Sequence, residues 1–332
     1  MRAAALRFVV VAAAAGAIVL LATRLSDYHQ LVGGNIATFF IAILGLNILT
    51  GYTGQISLGH GAFMAIGGYT TAILYRDHAH TLPWHSTLST VPVAAAAAFV
   101  VGVLVGIPAL RLRGVYLALA TFAFALVVPA LANKYTHFSG GRDGILLPIQ
   151  TGHWSYVVGW SIAGGMFVLA WLCLRGRTGR AWRAIRDSDV AAVSAGVNPA
   201  VYKTLAFAVS AAFAGVAGSL FVLLAGLAQP DEFGLLLSVE LLIGAAVAGL
   251  GSLWGVLGGA FFVYYLRVGA QGTSIGFLNQ HKYASPVLQG IAVILVMFLL
   301  PTGLAGLLRR LAMPRRSRTG RSWLTNSGGP AS

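Results

Sequence analysis

Long apolar runs with almost no charged residues decide what this chain can fold into. Only 9% of the 332 residues are charged, against about 25% in a soluble domain. So few charges cannot coat a globule of this size, and lipid must be its main solvent. The chain is therefore predicted to be an all-α polytopic membrane protein, not a soluble enzyme, a nucleic-acid binder or a disordered protein. An α-helix needs about 20 apolar residues to cross a bilayer, and the stretches that reach or approach this length are 8–25, 31–50, 57–75, 91–110, 115–133, 154–174, 203–227, 236–249, 254–266 and 286–300.

These stretches predict about ten transmembrane segments, with eight as the lower bound. Two of them, 236–249 and 254–266, are short and lie on either side of a Gly-rich break. A short pair around such a break is typical of broken or re-entrant helices in transporters. The chain also contains 42 glycines, which favours close contact between transmembrane helices.

The distribution of Lys and Arg predicts the orientation. With the N-terminus inside, the inner segments hold 16 of the 22 basic residues and the outer loops hold 6. Cytoplasmic loops carry an excess of Lys and Arg, so both termini are expected in the cytoplasm. The first stretch follows Arg2 and Arg7 as in a signal peptide, but no small-residue cleavage site comes after it. We therefore expect it to remain as an uncleaved span.

The same features divide the chain into three parts. Residues 1–30 form an N-terminal span with an outer loop, 31–305 form the main transmembrane domain, and 306–332 form a basic cytoplasmic tail. The tail is composed largely of Pro, Ser, Gly and Arg. It is expected to be disordered or to lie on anionic lipid headgroups.

A polar, glycine-rich segment at 51–63 lies between two apolar runs and carries no charged residue. Non-helical backbone at membrane depth must be buried in protein or must line a wet cavity. Tyr52, Gln55, Ser57 and His60 offer donors and acceptors there without a fixed charge. Two interpretations remain open: a tight turn packed between helices, or a substrate path lined by these four side chains.

The basic segment 175–199 lies outside the apolar runs. Asp187 fits an N-cap, Asp189 is favourable in a first helical turn, and Gly196 is a suitable stop. The pattern predicts a helix of two turns outside the membrane. Because so short a helix is marginal alone in water, it should dock on the protein's own bundle, on the membrane surface or on a partner.

Charged residues at three further places are candidates for function. Glu240 is the acid placed inside a span, where acids are rare and usually functional. It either lines the path or binds an ion, or it forms a structural pair near the outer interface. In the outer loops, Arg142, Asp143 and Asp231 either contact a delivery protein or form a solvated face.

No catalytic chemistry is indicated by the sequence. No Lys follows a Gly, so the phosphate loop G-x-x-x-x-G-K-[ST] is absent and the chain is not expected to hydrolyse ATP. Glu232 and Glu240 are the only glutamates, and neither lies in an H-E-x-x-H zinc motif. The single cysteine, Cys173, cannot form an internal disulfide or a Cys-based zinc site. We predict no catalytic residue, no metal site and no cofactor bound by this chain.

Five blocks of sequence resemble a known family. They are GYTGQISLGHGAFMAIGGY at 51–69, PALRLRGVYLALATFAF at 108–124, SGGRDGI at 139–145, RTGRAWRAIRDSDVAAVSAGVN at 177–198 and QPDEFGLLLSVELLIGAAVAGLGSLWGVLGGA at 229–260. In this order they resemble the M-type membrane permease subunit of branched-chain amino acid ABC importers.

The resemblance implies a permease that translocates branched-chain or other aliphatic amino acids across the bacterial inner membrane by alternating access. It implies a heterodimer with a second, homologous permease subunit, two ABC ATPase subunits that bind ATP and Mg²⁺, and a periplasmic amino-acid-binding protein. Within 177–198, a coupling helix at about 183–197 would dock on an ATPase. The residues expected at that contact are Arg180, Arg183, Arg186, Asp187, Asp189 and Asn198, and those expected to dock the binding protein are Arg142, Asp143 and Asp231.

A stand-alone secondary transporter or channel for small amino acids or amides is the alternative. Such a protein normally has ion-coupling acids inside its spans, and only Glu240 is available. Two positions also depart from the family pattern. Val193 stands where many relatives have a polar or acidic residue, and Arg142 stands where a small or polar residue is usual.

Overall fold

The computed structural model describes residues 24–78, 88–112 and 114–272, together with 290, 291 and 294. Nearly all of the predicted first and last spans, 8–25 and 286–300, lie outside the described residues. The predicted basic tail at 306–332 also lies outside them.

The described chain is built almost entirely of helices. In chain order they are α1 (Asp27–Leu46), α2 (His60–His78), α3 (Thr90–Ala109), α4 (Val115–Lys134), α5 (Gly152–Arg175), α6 (Arg177–Asp187), α7 (Asp189–Ser194), α8 (Pro199–Ala225), α9 (Leu235–Ala248) and α10 (Val256–Gly272). A π-helical turn at Asn47–Tyr52 continues α1. Single turns lie at Thr136–Ser139, Gly141–Asp143 and Pro230–Phe233, and two short strands, β1 (Ile145–Leu146) and β2 (Leu227–Ala228), pair antiparallel.

The predicted apolar stretches that lie within the described residues all form helices. Among these residues, α1 with its π-helical turn, α3, α4, α5 and α8 are long and apolar enough to cross a membrane. The helix α2 has 19 residues but is more polar, whereas α9 and α10 have only 14 and 17 residues. The helical, polytopic fold is thus confirmed. The number of crossings and their orientation stay predictions.

The helices α1 and α8 form the centre of the bundle. Within their most apolar windows, 83% of α1 and 89% of α8 is buried, whereas only 17% of the α4 window is buried. The helix α4 exposes apolar side chains such as Leu119, Leu126 and Val127. Its exposed surface must therefore be covered by lipid or by another protein chain.

Glycines let the backbones of α2 and α8 touch. A Cβ atom added to Gly67 would collide with the carbonyl oxygen of Gly215, and one added to Gly218 would collide with the carbonyl oxygen of Met64. Small residues at helix contacts are the usual means of close packing in membranes, where no hydrophobic effect drives helices together. The packing of α2 against the central helix therefore depends on these glycines.

One end of the bundle, here called the basic end, gathers the loops at 51–56, 110–114, 176–198 and 249–255. The Asn47 side chain donates to the carbonyl oxygen of Ser252 and accepts from the amide of Gly251, both at 2.8 Å. Arg186 donates to the carbonyl oxygen of Gly51. These bonds join the break after α1 to the break after α9 and to α6.

The opposite end, here called the strand end, gathers the loops at 135–151 and 226–234. Arg76, near the end of α2, donates to the carbonyl oxygen of Phe138 at 3.1 Å, and β1 pairs with β2 with Ile145 opposite Ala228. Loops alternate between the two ends along the described chain, which is the order that the predicted spans require.

Candidate substrate path and coupling surface

The segment 51–63 begins at the surface of the basic end and continues into the bundle. Residues 54–59 have no regular structure, and α2 begins only at His60. Gly54 adopts φ +73°, a conformation that costs glycine little and other residues more. Gly59 packs against Thr121 of α4. Ser57 and Gly59 are thus covered by protein, whereas Gly54 and Ile56 are exposed at the basic end.

Gln55 and Ser57 bond within this segment. The side-chain amide of Gln55 donates to Thr53 Oγ1 at 3.2 Å, and the backbone carbonyl oxygen of Gln55 accepts from Thr50 Oγ1 at 3.2 Å. Ser57 is fully buried, and its hydroxyl accepts the amide of Gly59 at 3.3 Å. Both side chains therefore satisfy polar groups of the segment, which would otherwise be costly to bury.

His60 is the first residue of α2 and is fully buried. Its ring lies beside Gly45 of α1 and Phe63. Neither ring nitrogen has a hydrogen bond of normal geometry within the described part of the chain. Tyr52 is partly buried at the end of the π-helical turn. The role of the four predicted path residues in a path stays a prediction.

Gln55 is the member of that set that borders an open cavity. The cavity, of about 220 Å³, lies at the basic end between the 53–56 segment, the α3–α4 turn and α6. Its polar side chains include Gln55, Arg186, Asp189 and Lys203. Here the polar segment meets the basic segment that the sequence placed on the same side.

Glu240 lies on α9 and is 4% exposed. Its carboxylate is 3.6 Å from the guanidinium of Arg267, which also pairs with Glu232. Arg267 further lies over the ring of Phe221 at 5.7 Å. This geometry favours the structural pairing considered from the sequence over an ion-coupling acid, since the cation that Glu240 meets is part of the protein.

The helix α6 docks on the protein's own bundle. Trp182 is 1% exposed, and its indole N–H donates to the carbonyl oxygen of Tyr202 at 2.9 Å. Ile185 is buried beside it, and Arg183 donates to the carbonyl oxygen of Leu174 at 3.4 Å. The sequence left three docking surfaces open, namely the bundle, the membrane surface and a partner. The described contacts of α6 are with the bundle.

The predicted two-turn helix between Asp187 and Gly196 is present as α7 (Asp189–Ser194). The coupling helix implied at about 183–197 is divided between two helices, because the chain is extended at Ser188. Asp187 is the last residue of α6 and not an N-cap. Ser188 takes that role, and its hydroxyl accepts the amide of Ala191 at 3.3 Å. A serine hydroxyl that caps one helix requires extended backbone, which ends the preceding helix. Gly196 adopts φ +79° after α7, as its predicted role as a stop requires.

The remaining coupling candidates divide between internal contacts and open surface. Asp189 pairs with Lys203 of α8 at 2.6 Å, and Asn198 caps α8 by accepting the amide of Ala200 at 3.0 Å. Arg180 and Asp187 are exposed. None of these positions is tested by a bound partner, so their role in ATPase contact stays a prediction.

The helix α7 exposes an apolar surface that includes Val193, which departs from the family pattern, together with Val190, which the sequence did not single out. Val190 is 78% exposed and Val193 is 57% exposed, whereas Ala192 faces the bundle. Two valines three residues apart lie on one face of a helix. The signal in the sequence that indicates this surface is the run of valine and alanine outside the apolar spans.

The strand end assembles the predicted docking residues for the binding protein. Arg142 and Asp143 lie in the turn Gly141–Asp143, and Asp231 lies in the turn Pro230–Phe233; all three are exposed. The side chain of Gln229 donates to the carbonyl oxygen of Arg142 at 3.3 Å. The strand pair thus brings two loops that are distant in sequence into one surface.

These features define a polytopic helical membrane protein. The sequence profile of the family described as "Branched-chain amino acid transport system / permease component" matches residues 32–300. The chain belongs to this family.

Two kinds of relative support the assignment. The LivM permease protein of the high-affinity branched-chain amino acid transport system of Escherichia coli is 31% identical over 303 residues, which cover 82% of this chain and 68% of LivM. LivM of Salmonella typhimurium is also 31% identical, over 304 residues. The E. coli LivH permease protein of the same system is 22% identical over 81% of this chain and 92% of LivH. No solved structure matches the chain significantly.

The chain is therefore a permease subunit of an ABC importer and a multi-pass membrane protein. It is not itself catalytic, because ATP hydrolysis in such a system belongs to partner ATPase subunits. Its relatives include both LivM and LivH, which supports a second permease as partner.

Proposed function

We propose that this permease translocates branched-chain or other aliphatic amino acids across the inner membrane by alternating access. The energy comes from ATP and Mg²⁺ bound by two partner ATPases, and this chain binds no cofactor. A LivH-like permease completes the membrane domain, and a periplasmic binding protein delivers the amino acid. The identity to LivM over 82% of the chain supports the substrate class.

The basic end faces the cytoplasm in this proposal, and the strand end faces the periplasm. The segment 176–198 at the basic end contains four arginines, and cytoplasmic loops are enriched in such residues. The predicted termini then both lie in the cytoplasm.

The observation that carries the mechanism is a connection from α7 to the polar segment. Val190 and Val193 of α7 offer an exposed apolar surface that fits a hydrophobic groove on an ATPase, and Arg180 and Asp187 lie exposed on the adjoining helix α6. Arg186 of α6 in turn binds the backbone at Gly51. Movement imposed on α7 by the ATPases therefore reaches the segment that leads into the bundle, which is a rigid-body change of the kind used in domain closure.

At the strand end, Arg142, Asp143 and Asp231 form the proposed docking surface for the binding protein. They are exposed and combine both signs of charge. Complementary charge of this kind sets the rate and orientation of encounter more than the affinity.

The test is ATP-dependent uptake by the reconstituted transporter. The chain, a LivH-like partner, the two ATPases and the binding protein are placed in proteoliposomes, and uptake of radiolabelled leucine, isoleucine and valine is measured. We expect uptake only with all components and internal ATP. A complex that hydrolyses ATP in response to its loaded binding protein, yet accumulates none of these three amino acids, would show that the substrate class is wrong.

A further inference from the structure

Two cavities border the helix α4. One is the polar cavity of about 220 Å³ at the basic end, which Leu117 of α4 borders. The other is a groove of about 440 Å³ between α2 and α4, which reaches the strand end. Its walls are apolar and include Ile66 and Tyr69 of α2, and Val128 and Leu131 of α4. Its volume is in the range of small-molecule sites, about 300–1,000 Å³.

One face of α4 connects the two cavities. Leu117 borders the basic-end cavity, Thr121 and Phe124 follow, and Val128 and Leu131 border the groove. Steps of four and three residues keep these side chains on one side of a helix. Leu117 and Val128 are separated by about 16 Å at 1.5 Å per residue, so the cavities together extend along much of the helix.

A constriction separates the cavities at the level of Thr121 and Phe124. The amide of Leu58 donates to Thr121 Oγ1 at 2.9 Å. The rings of Phe63 and Phe124 contact each other with centroids 5.1 Å apart. A Cβ atom added to Gly59 would lie 3.1 Å from the carbonyl oxygen of Thr121, so the contact leaves no open channel at this level.

We propose that the α2–α4 groove is this chain's wall of the passage for the transported solute. The groove takes the aliphatic side chain, and the contact of Gly59 and Phe63 with Thr121 and Phe124 closes the passage between its two mouths. This inference rests on the proposed function, because it assigns the groove to the substrate of that importer. The exposure of α4 leaves its other side available to the partner permease.

An acyl chain of a lipid is the competing occupant of an apolar groove. A lipid site, however, gives no reason for a polar cavity on the same helix face beyond the constriction. It also does not explain the hydrogen bond between the 54–59 segment and α4 at the point of closure. A solute path that is closed between its two openings requires an apolar groove, a closed contact and a polar mouth in line. These three features follow one another along α4.

The first experiment compares two substitutions that add the same bulk to neighbouring residues. Val128 borders the groove, whereas Val127 is 50% exposed on the outside of α4. In the complete reconstituted transporter, we expect V128F to reduce leucine uptake at least tenfold with ATPase activity and assembly retained. V127F should stay within twofold of the unchanged protein. Equal uptake by V128F and V127F would overturn the proposal.

The second experiment uses cysteine accessibility, for which the single Cys173 is first replaced by alanine. V128C and L131C are compared in the assembled transporter with L126C, which lies on the opposite face of α4. A charged methanethiosulfonate reagent reacts with thiolates, which form in water and not in lipid. We expect labelling at 128 and 131 that slows when the binding protein is loaded with leucine, and little labelling at 126.

The outcomes separate this inference from the proposed function. Absence of labelling at 128 and 131 would assign the groove to lipid or to protein packing and would overturn the inference. If the wild-type complex fails to accumulate leucine but residues 128 and 131 are labelled, the substrate class is wrong and the water-accessible path stands.

Discussion

Arg186 donates a hydrogen bond to the carbonyl oxygen of Gly51, 135 residues earlier in the chain. The same guanidinium lies 2.9 Å from the position that a Cβ atom on Gly251 would occupy. One side chain of the coupling segment thus meets both Gly-rich breaks in the helical bundle. Because the first break leads through 54–59 to the contact with Thr121, this arginine connects the coupling surface to the proposed constriction.

Replacing Arg186 by alanine should uncouple the transporter. A hydrogen bond from a charged donor contributes about 1.5–3 kcal/mol, and its loss frees the backbone at Gly51 from α6. We expect leucine uptake to fall about tenfold while ATPase activity of the assembled complex persists, as measured in parallel in proteoliposomes. Arg177→Ala, at an exposed position on the same helix, is the control and should have little effect. A coupled R186A transporter would contradict this role.

A charge on the exposed face of α7 should prevent ATPase binding. Val190→Asp and Val193→Asp each place a carboxylate where we expect an apolar contact, and burial of an unpaired charge is expensive. Co-purification of the ATPases with the permease should fall at least tenfold. Ile149→Asp, a similarly exposed apolar position at the strand end, should leave co-purification intact. If V190D and V193D recover the ATPases normally, α7 is not part of the interface with them.

The Asp189–Lys203 pair should act as a unit. We expect Asp189→Lys and Lys203→Asp each to weaken the attachment of α7 to α8, and the double exchange to restore part of the loss. A double-mutant cycle on leucine uptake measures the coupling between the two sites. For a partly exposed pair, the interaction is expected to be about 1 kcal/mol or less. Strictly additive effects would show that the ion pair makes no contribution.

The glycine contact between α2 and α8 should be intolerant of a methyl group. Gly67→Ala forces apart two backbones that already touch, and overpacking of this kind costs about 1–3 kcal/mol. The temperature at which the purified complex unfolds should fall by several degrees, as measured in a size-exclusion assay. Gly165→Ala on α5 is the matched control, because nothing lies within 4 Å of a Cβ there. It should be neutral or slightly stabilising, since alanine favours a helix more than glycine does.

Charge reversal at the strand end should slow docking of the binding protein. Asp143→Arg and Asp231→Arg change exposed charges that we assign to the docking surface. The association rate of the loaded binding protein should fall severalfold at low salt and differ less at high salt, because salt screens such charges. Asp27→Arg, an exposed acid near the N-terminal end of α1, serves as the control. Unchanged association rates for both variants would place the docking surface elsewhere.

Some features of the coupling segment could be predicted from local sequence, and others could not. Gly196 was recognised as a stop because a left-handed residue after a helix is a local event. The cap was placed at Asp187 although it lies at Ser188, because adjacent Asp, Ser and Asp residues all have the chemistry of an N-cap. The choice among them depends on where Trp182 and Ile185 anchor α6 on the bundle, which the local sequence does not specify.

The sequence by itself determined that lipid surrounds most of the chain, that the fold is helical, and to which family the chain belongs. Apolar runs of bilayer length, scarce charge and five ordered motifs are properties of the chain read residue by residue. Only the tertiary structure decided that Asp189 pairs with Lys203, that Glu240 meets Arg267, and that β1 joins two loops at the strand end. These contacts join residues far apart in sequence, and they depend on how the helices pack. Because apolar residues surround most of these helices, their composition does not specify which face meets which neighbour, and glycine contacts and a few buried polar bonds make that choice.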